Sequence, residues 1–120
     1  MPVSNRIAAL RPEIEAWRRA LHAEPELLYD VTDTAAFVAA RLAEFGCDAV
    51  VTGIGRTGVV GLIHGRDGAG GRMIGLRADM DALPIVEATG LDHASRRPGA
   101  MHACGHDGHM AMLLGAAKGL

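Results

Sequence analysis

Between Pro98 and Met110 the chain reads Pro-Gly-Ala-Met-His-Ala-Cys-Gly-His-Asp-Gly-His-Met, and residues 102 to 109 hold five metal-capable side chains: His102, Cys104, His106, Asp107 and His109. Thiolate sulfur and imidazole nitrogen suit zinc and its first-row neighbours. His102 and His106 flank Cys104 at two-residue spacing, so an extended run would turn all three to one side. If a helix begins near Asp107 instead, His106 and His109 stand three apart in its first turn. A second acidic pair, Asp79 and Asp81, lies in Arg77-Ala-Asp-Met-Asp-Ala-Leu-Pro84. Such carboxylates either ligate a metal or orient a ligating histidine. A divalent ion with an open position lowers the pKa of water and polarises a carbonyl, which is the chemistry of hydrolysis.

Each of these residues also has a plainer reading. Cys104 could be a small buried hydrophobe, or a nucleophile activated by His102 or His106. His102 and His109 could be structural or could face a substrate. Asp107 reads as a helix cap, and Asp79 and Asp81 could cap loop backbone. Cys47, between Gly46 and Asp48, reads as structural, while His22, His64 and His93 are isolated and carry no assigned chemistry.

The elements that must position the cluster follow from periodicity. From Gly108 the sequence is almost wholly apolar and rich in helix formers, with Asp107 placed to cap it. Ala111, Gly115 and Gly119 make a small-residue stripe at four-residue spacing, suited to a close approach against a sheet. Cys104 and His106 then stand at the amino end of that helix, where its dipole favours a thiolate. Upstream, Ser4 can cap an amphipathic helix through Ile7, Leu10, Ile14, Trp17 and Leu21, with Pro12 a kink or restart and an end before Pro25. Thr32 or Asp33 caps a second helix through Phe45, and Gly46 stops it. Three short strand-like runs follow, 49–52, 59–64 and 73–78, separated by glycine-rich turns, of which the one at residues 65–71 reads as a flexible loop tip. The third run is continuously apolar, as a buried central strand would be, and Asp79 and Asp81 sit at its carboxyl end, where open α/β sheets place ligands.

Composition bounds the function. The 120 residues allow one domain at most. Hydrophobic residues make up 49 % but aromatic ones only 3 %, so the core must be aliphatic and alanine-rich. A net charge of -2 with scattered basic residues points to neither nucleic acid nor an anionic membrane as partner. The amino terminus lacks the parts of a signal peptide, and no apolar run approaches the roughly 20 residues that span a bilayer. A cytoplasmic protein is expected.

The stretches 77–84 and 98–109, together with Leu21-His22-x-x-Pro25-Glu26-Leu27, Thr57-Gly-Val-Val-Gly61 and residues 111–117, resemble the amidohydrolase branch of the aminoacylase and carboxypeptidase type zinc metallopeptidases. That branch includes hippurate hydrolases and indole-acetyl-amino-acid hydrolases. The resemblance implies an α/β fold, the amino-terminal part of a zinc-peptidase-like catalytic domain with a mixed sheet flanked by helices. It implies metal-dependent hydrolysis of the amide bond of N-acyl amino acids, with two divalent ions, zinc, manganese or cobalt, in the complete enzyme. Cys104 and His106 match its metal ligands, and Asp81 matches the catalytic-site aspartate that steadies the centre. Asp79 stands where the wider family has a metal-binding histidine. Family members are several-fold longer, so residues 1–120 are expected to form a partial catalytic domain, with the lid and dimerisation domain and the carboxy-terminal catalytic segment absent. The partners implied are a small N-acyl amino acid and either a second copy or a missing carboxy-terminal half. The alternative is a non-catalytic metal-binding or interaction module derived from such an enzyme. Glu87, in Pro84-Ile-Val-Glu87, is not assumed to replace a general base.

Overall fold

The computed structural model describes residues 3–65 and 71–120. Three helices flank a small sheet in the order α1 (Asn5–Ala23), α2 (Thr32–Glu44), β1 (Ala49–Ile54), β2 (Gly58–Leu62) and α3 (His106–Gly119). The architecture is the expected α/β class. Helix α1 runs through Pro12 rather than restarting there. Pro12 removes one N–H, and both it and the Ala8 carbonyl residue it leaves without a donor are exposed, where water can compensate. Ser4 occupies the N-cap position without a side-chain cap bond.

Helix α2 is capped from a distance. The buried Glu26 carboxylate accepts the Thr34 N–H at 2.6 Å, the Thr34 hydroxyl at 2.6 Å and the Asp33 N–H at 3.2 Å, filling the role expected of Thr32 or Asp33 themselves. Gly46 ends the helix as expected, at φ 77°. Its N–H donates to the Ala43 carbonyl and that of Cys47 to the Leu42 carbonyl, the paired closing bonds of a Schellman motif.

Strands β1 and β2 form an antiparallel hairpin with Ala49 opposite Leu62 and Val51 opposite Val60. A register irregularity between Val51 and Ile54 contains Gly53, and Gly55 opens the turn that follows, both at positive φ. The third expected strand is a correction: 73–78 pairs with no strand among the described residues, and Met73, Ile74 and Leu76 are 83 %, 87 % and 64 % exposed. A strand buried on both faces needs neighbours on both edges, and β1 and β2 pair with each other instead. Residues 66–70 of the expected loop tip lie outside the described residues.

The core joins Trp17 of α1, Leu42 of α2, and Ala111 and Leu114 of α3, with Phe45 set against Trp17 at 5.4 Å between ring centroids. The small-residue stripe of α3 faces α1 rather than a sheet. A Cβ on Gly115 would stand 2.6 Å from Ile14 Cδ1, and one on Gly119 would stand 2.6 Å from Ile7 Cδ1. These glycines set the closeness of the α1 and α3 axes.

Candidate metal half-site

Two single-residue bridges hold the 77–84 stretch, one to residues 98–109 and one to the segment after α1. Leu83 and Met101 exchange both backbone bonds at 3.0 Å, and the Ala82 N–H donates to the Glu26 carbonyl at 2.7 Å. Asp81 is thereby held beside the turn that precedes α3. That turn is not extended: residues 103–105 bend, Gly105 adopts φ 88°, and the helix starts at His106. Cys104 and His106 nevertheless reach one atom. The Cys104 thiol donates to the Asp81 carbonyl at 3.6 Å, and the His106 Nδ1–H donates to the same carbonyl at 2.8 Å and to Asp81 Oδ1 at 3.1 Å. With Nδ1 so engaged, Nε2 is the ring nitrogen left for another ligand. It lies 3.9 Å from Asp79 Oδ2. Asp79 is itself paired with Arg77 at 2.6 Å.

Cys104, His106 and Asp81, the three residues expected in the site, are therefore neighbours. His109 stands a turn along α3, its ring centroid 5.9 Å from that of His106. His102 does not join them in the same way. It is buried, both ring nitrogens lack a partner among the described residues, and burial pushes its pKa down. The donor chemistry fits a divalent ion: one sulfur and one imidazole nitrogen, the imidazole oriented through its other nitrogen by a carboxylate and a carbonyl. Among the described residues no set of three His, Cys, Asp or Glu side chains is arranged to hold a metal. The site is a pair of donors with an orienting aspartate.

Beneath it lies a buried polar network that the sequence alone did not disclose. His22, in the last turn of α1, is 3 % exposed and engaged at both ring nitrogens: Nδ1 stands 2.7 Å from Asp107 Oδ2, and Nε2 bonds Glu87 Oε1. Arg18 Nε donates to the same Asp107 oxygen at 2.9 Å, and its terminal nitrogen faces His93 Nε2 at 3.2 Å. Glu87 Oε2 accepts the Ser95 N–H at 2.5 Å. The bond from His22 holds the Glu87 carboxyl below the usual glutamate range, and the Ser95 N–H adds to this against the opposing effect of burial. Asp107 is a correction to the capping expectation: its carboxylate, 1 % exposed, points back to α1 rather than along its own helix. The signal for His22 was present in Leu21-His22-x-x-Pro25-Glu26-Leu27, but a single histidine on a helix gives no sign of a partner 85 residues away. Cys47 is remote from this site, and its thiol is pushed up by burial and by Asp48, as suits a structural cysteine.

The chain thus places a Cys-x-His pair at the amino end of a helix, beside an aspartate held by a strand-like bridge, on an α/β unit. Residues 75–120 match Peptidase family M20/M25/M40, and the chain corresponds to the amino-terminal part of amidohydrolases of that family. It is 50 % identical over 112 residues to the hippurate hydrolase of Campylobacter jejuni, covering 93 % of this chain and 28 % of that protein. It is 45 % identical over 116 residues to the N-acyl-L-amino acid amidohydrolase of Geobacillus stearothermophilus, covering 97 % of this chain and 30 % of that protein. The Bacillus subtilis YxeP protein, described as a dinuclear metal binding peptidase of the M20 family, superposes with a TM-score of 0.79 at 37 % identity, over 92 % of this chain and 31 % of that one. The chain thus spans under a third of the length of these relatives.

Proposed function

We propose that this chain supplies the Cys104 and His106 half-site of a metal-dependent amidohydrolase that cleaves the amide bond of N-acyl amino acids. The observation that carries the proposal is the convergence of the Cys104 thiol and the His106 ring on Asp81. The names of the relatives, hippurate hydrolase and N-acyl-L-amino acid amidohydrolase, support the substrate class. Cys104 Sγ and His106 Nε2 would hold the ion, of zinc, manganese or cobalt. When bound, it would polarise the scissile carbonyl and lower the pKa of water. Asp81 fixes the His106 tautomer by accepting at Nδ1 and so presents Nε2. Glu87 is not assigned as the proton acceptor, since it is buried and bonded to His22 and the Ser95 N–H rather than to the donors. The base and the remaining ligands would come from a carboxy-terminal half or a second copy. Two free thiols suit a reducing compartment, which supports a cytoplasmic location.

A second reading, a metal-binding or interaction module without turnover, is favoured by the exposed apolar run at Met73, Ile74 and Leu76. Hydrolysis of N-benzoylglycine by the purified chain, with and without chelator, separates them. Turnover abolished by chelator and restored by zinc, manganese or cobalt supports the amidohydrolase. Bound metal without turnover supports the module. Activity that survives chelation but not thiol alkylation would contradict both and make Cys104 a nucleophile.

A further inference from the structure

His22 belongs to another helix, α1, and among the described residues no hydrogen bond joins it to Cys104 or His106. Its surroundings give it a role all the same. Of the groups around it, Glu87 lies in the loop after Pro84 and Asp107 is the second residue of α3, directly following His106. The His22 ring is nearly inaccessible, and so are the two carboxylates, at 4 % and 1 % exposed side chain. Arg18 Nε donates to the same Asp107 oxygen at 2.9 Å, and its second terminal nitrogen stands 3.5 Å from His22 Nδ1. A buried polar cluster of this kind holds its geometry because any shift leaves an enclosed polar group without its partner.

The geometry points to His22 as a positioning residue: by clamping Asp107 to α1 and Glu87, it fixes the first turn of α3 and with it the relative placement of Cys104 and His106 for a divalent ion. The inference rests on the metal reading above and goes beyond it, since that reading needs only the two donors and Asp81. Backbone bonds tie the turn to itself and to Leu83, and the Cys104 and His106 side chains tie it to Asp81, but none of these reaches α1. Gly105 precedes the helix at a left-handed φ without a side-chain cap bond, and the turn has no other side-chain anchor to α1 than Asp107.

The test is titration with cobalt(II) alone, followed by the near-ultraviolet thiolate-to-cobalt absorption, on the unaltered chain and four variants, with thermal unfolding recorded for each. Cys104→Ala removes the band and identifies it. His22→Ala weakens cobalt binding by about tenfold to a hundredfold, the range typical of losing an outer-shell partner, and His22→Gln, which retains one N–H, falls between. Leu42→Ala, which opens the core at α2, lowers the unfolding temperature without weakening cobalt binding, so a loss of stability alone does not account for the effect. Cobalt affinity equal to the unaltered chain in folded His22→Ala overturns the positioning role, as does an equal loss in Leu42→Ala. Should His22→Ala fail to fold, Glu87→Gln decides: weaker binding supports the role and unchanged binding overturns it. Lack of any cobalt band in the unaltered chain overturns the metal reading, and this inference with it.

Discussion

A carboxylate acts differently according to what already occupies its oxygens. Asp81 is about two-fifths exposed and gives one oxygen to a histidine that has a nitrogen to spare, whereas Glu87 is enclosed and fully engaged. That difference assigns orientation to the first and structure to the second. It also sets a pH dependence. The Glu87 carboxyl is held below its ordinary value of 4.5, so the unfolded chain binds a proton at a pH where the folded chain does not. The stability this contributes is complete above the unfolded value and is lost as the pH falls through the folded one. Glu87→Gln is therefore expected to lower the urea midpoint most near neutral pH, with the gap to the unaltered chain narrowing below about pH 4. A gap that is constant from pH 7 to pH 3 would contradict the ionised Glu87. The metal-capable cluster at 102–109 and the Asp79 and Asp81 pair stood out by type and spacing, and the family resemblance picked Cys104, His106 and Asp81 from among them. His22 did not stand out, because its partners are fixed only by the tertiary placement of α1 against α3.

At the scale of elements, the helices were readable and their surroundings were not. Apolar spacing located α1 and α2, and Gly46 marked a stop that the left-handed φ explains. The capping of α2 by Glu26 escaped notice because the cap lies outside the helix, across the Pro25 turn. Glu26→Ala removes three hydrogen bonds at once and is expected to destabilise the chain by about 1–3 kcal/mol, as loss of a cap and stranding of buried donors together do. Equilibrium unfolding measures it, and a change under about 0.5 kcal/mol, the range of an ordinary surface substitution, would contradict the cap. The glycines of α3 were recognised as a stripe, but periodicity cannot say which neighbour a stripe meets. Since Gly115 abuts Ile14 and not a sheet, Gly115→Leu should cost about 1–3 kcal/mol through overpacking. Ile14→Ala in the same chain should recover part of that loss, whereas simple additivity of the two would place the stripe elsewhere.

Across the whole molecule, the α/β class was evident from strand-like runs set between helical segments, while the role of 73–78 was not. A continuous apolar run specifies burial without naming the neighbour that provides it. In this structure the run is exposed, and Asp79 and Asp81 follow it onto the half-site. The donors themselves come from one short turn, so they meet independently of any further strand. The central claim is that this turn forms a thiolate and imidazole pair able to hold a divalent ion. Zinc content of the purified chain, compared with that of Cys104→Ala after identical loading and desalting, tests it most directly. The account predicts bound zinc in the unaltered chain and its loss in Cys104→Ala. Equal zinc in the two, or none in either, would contradict it.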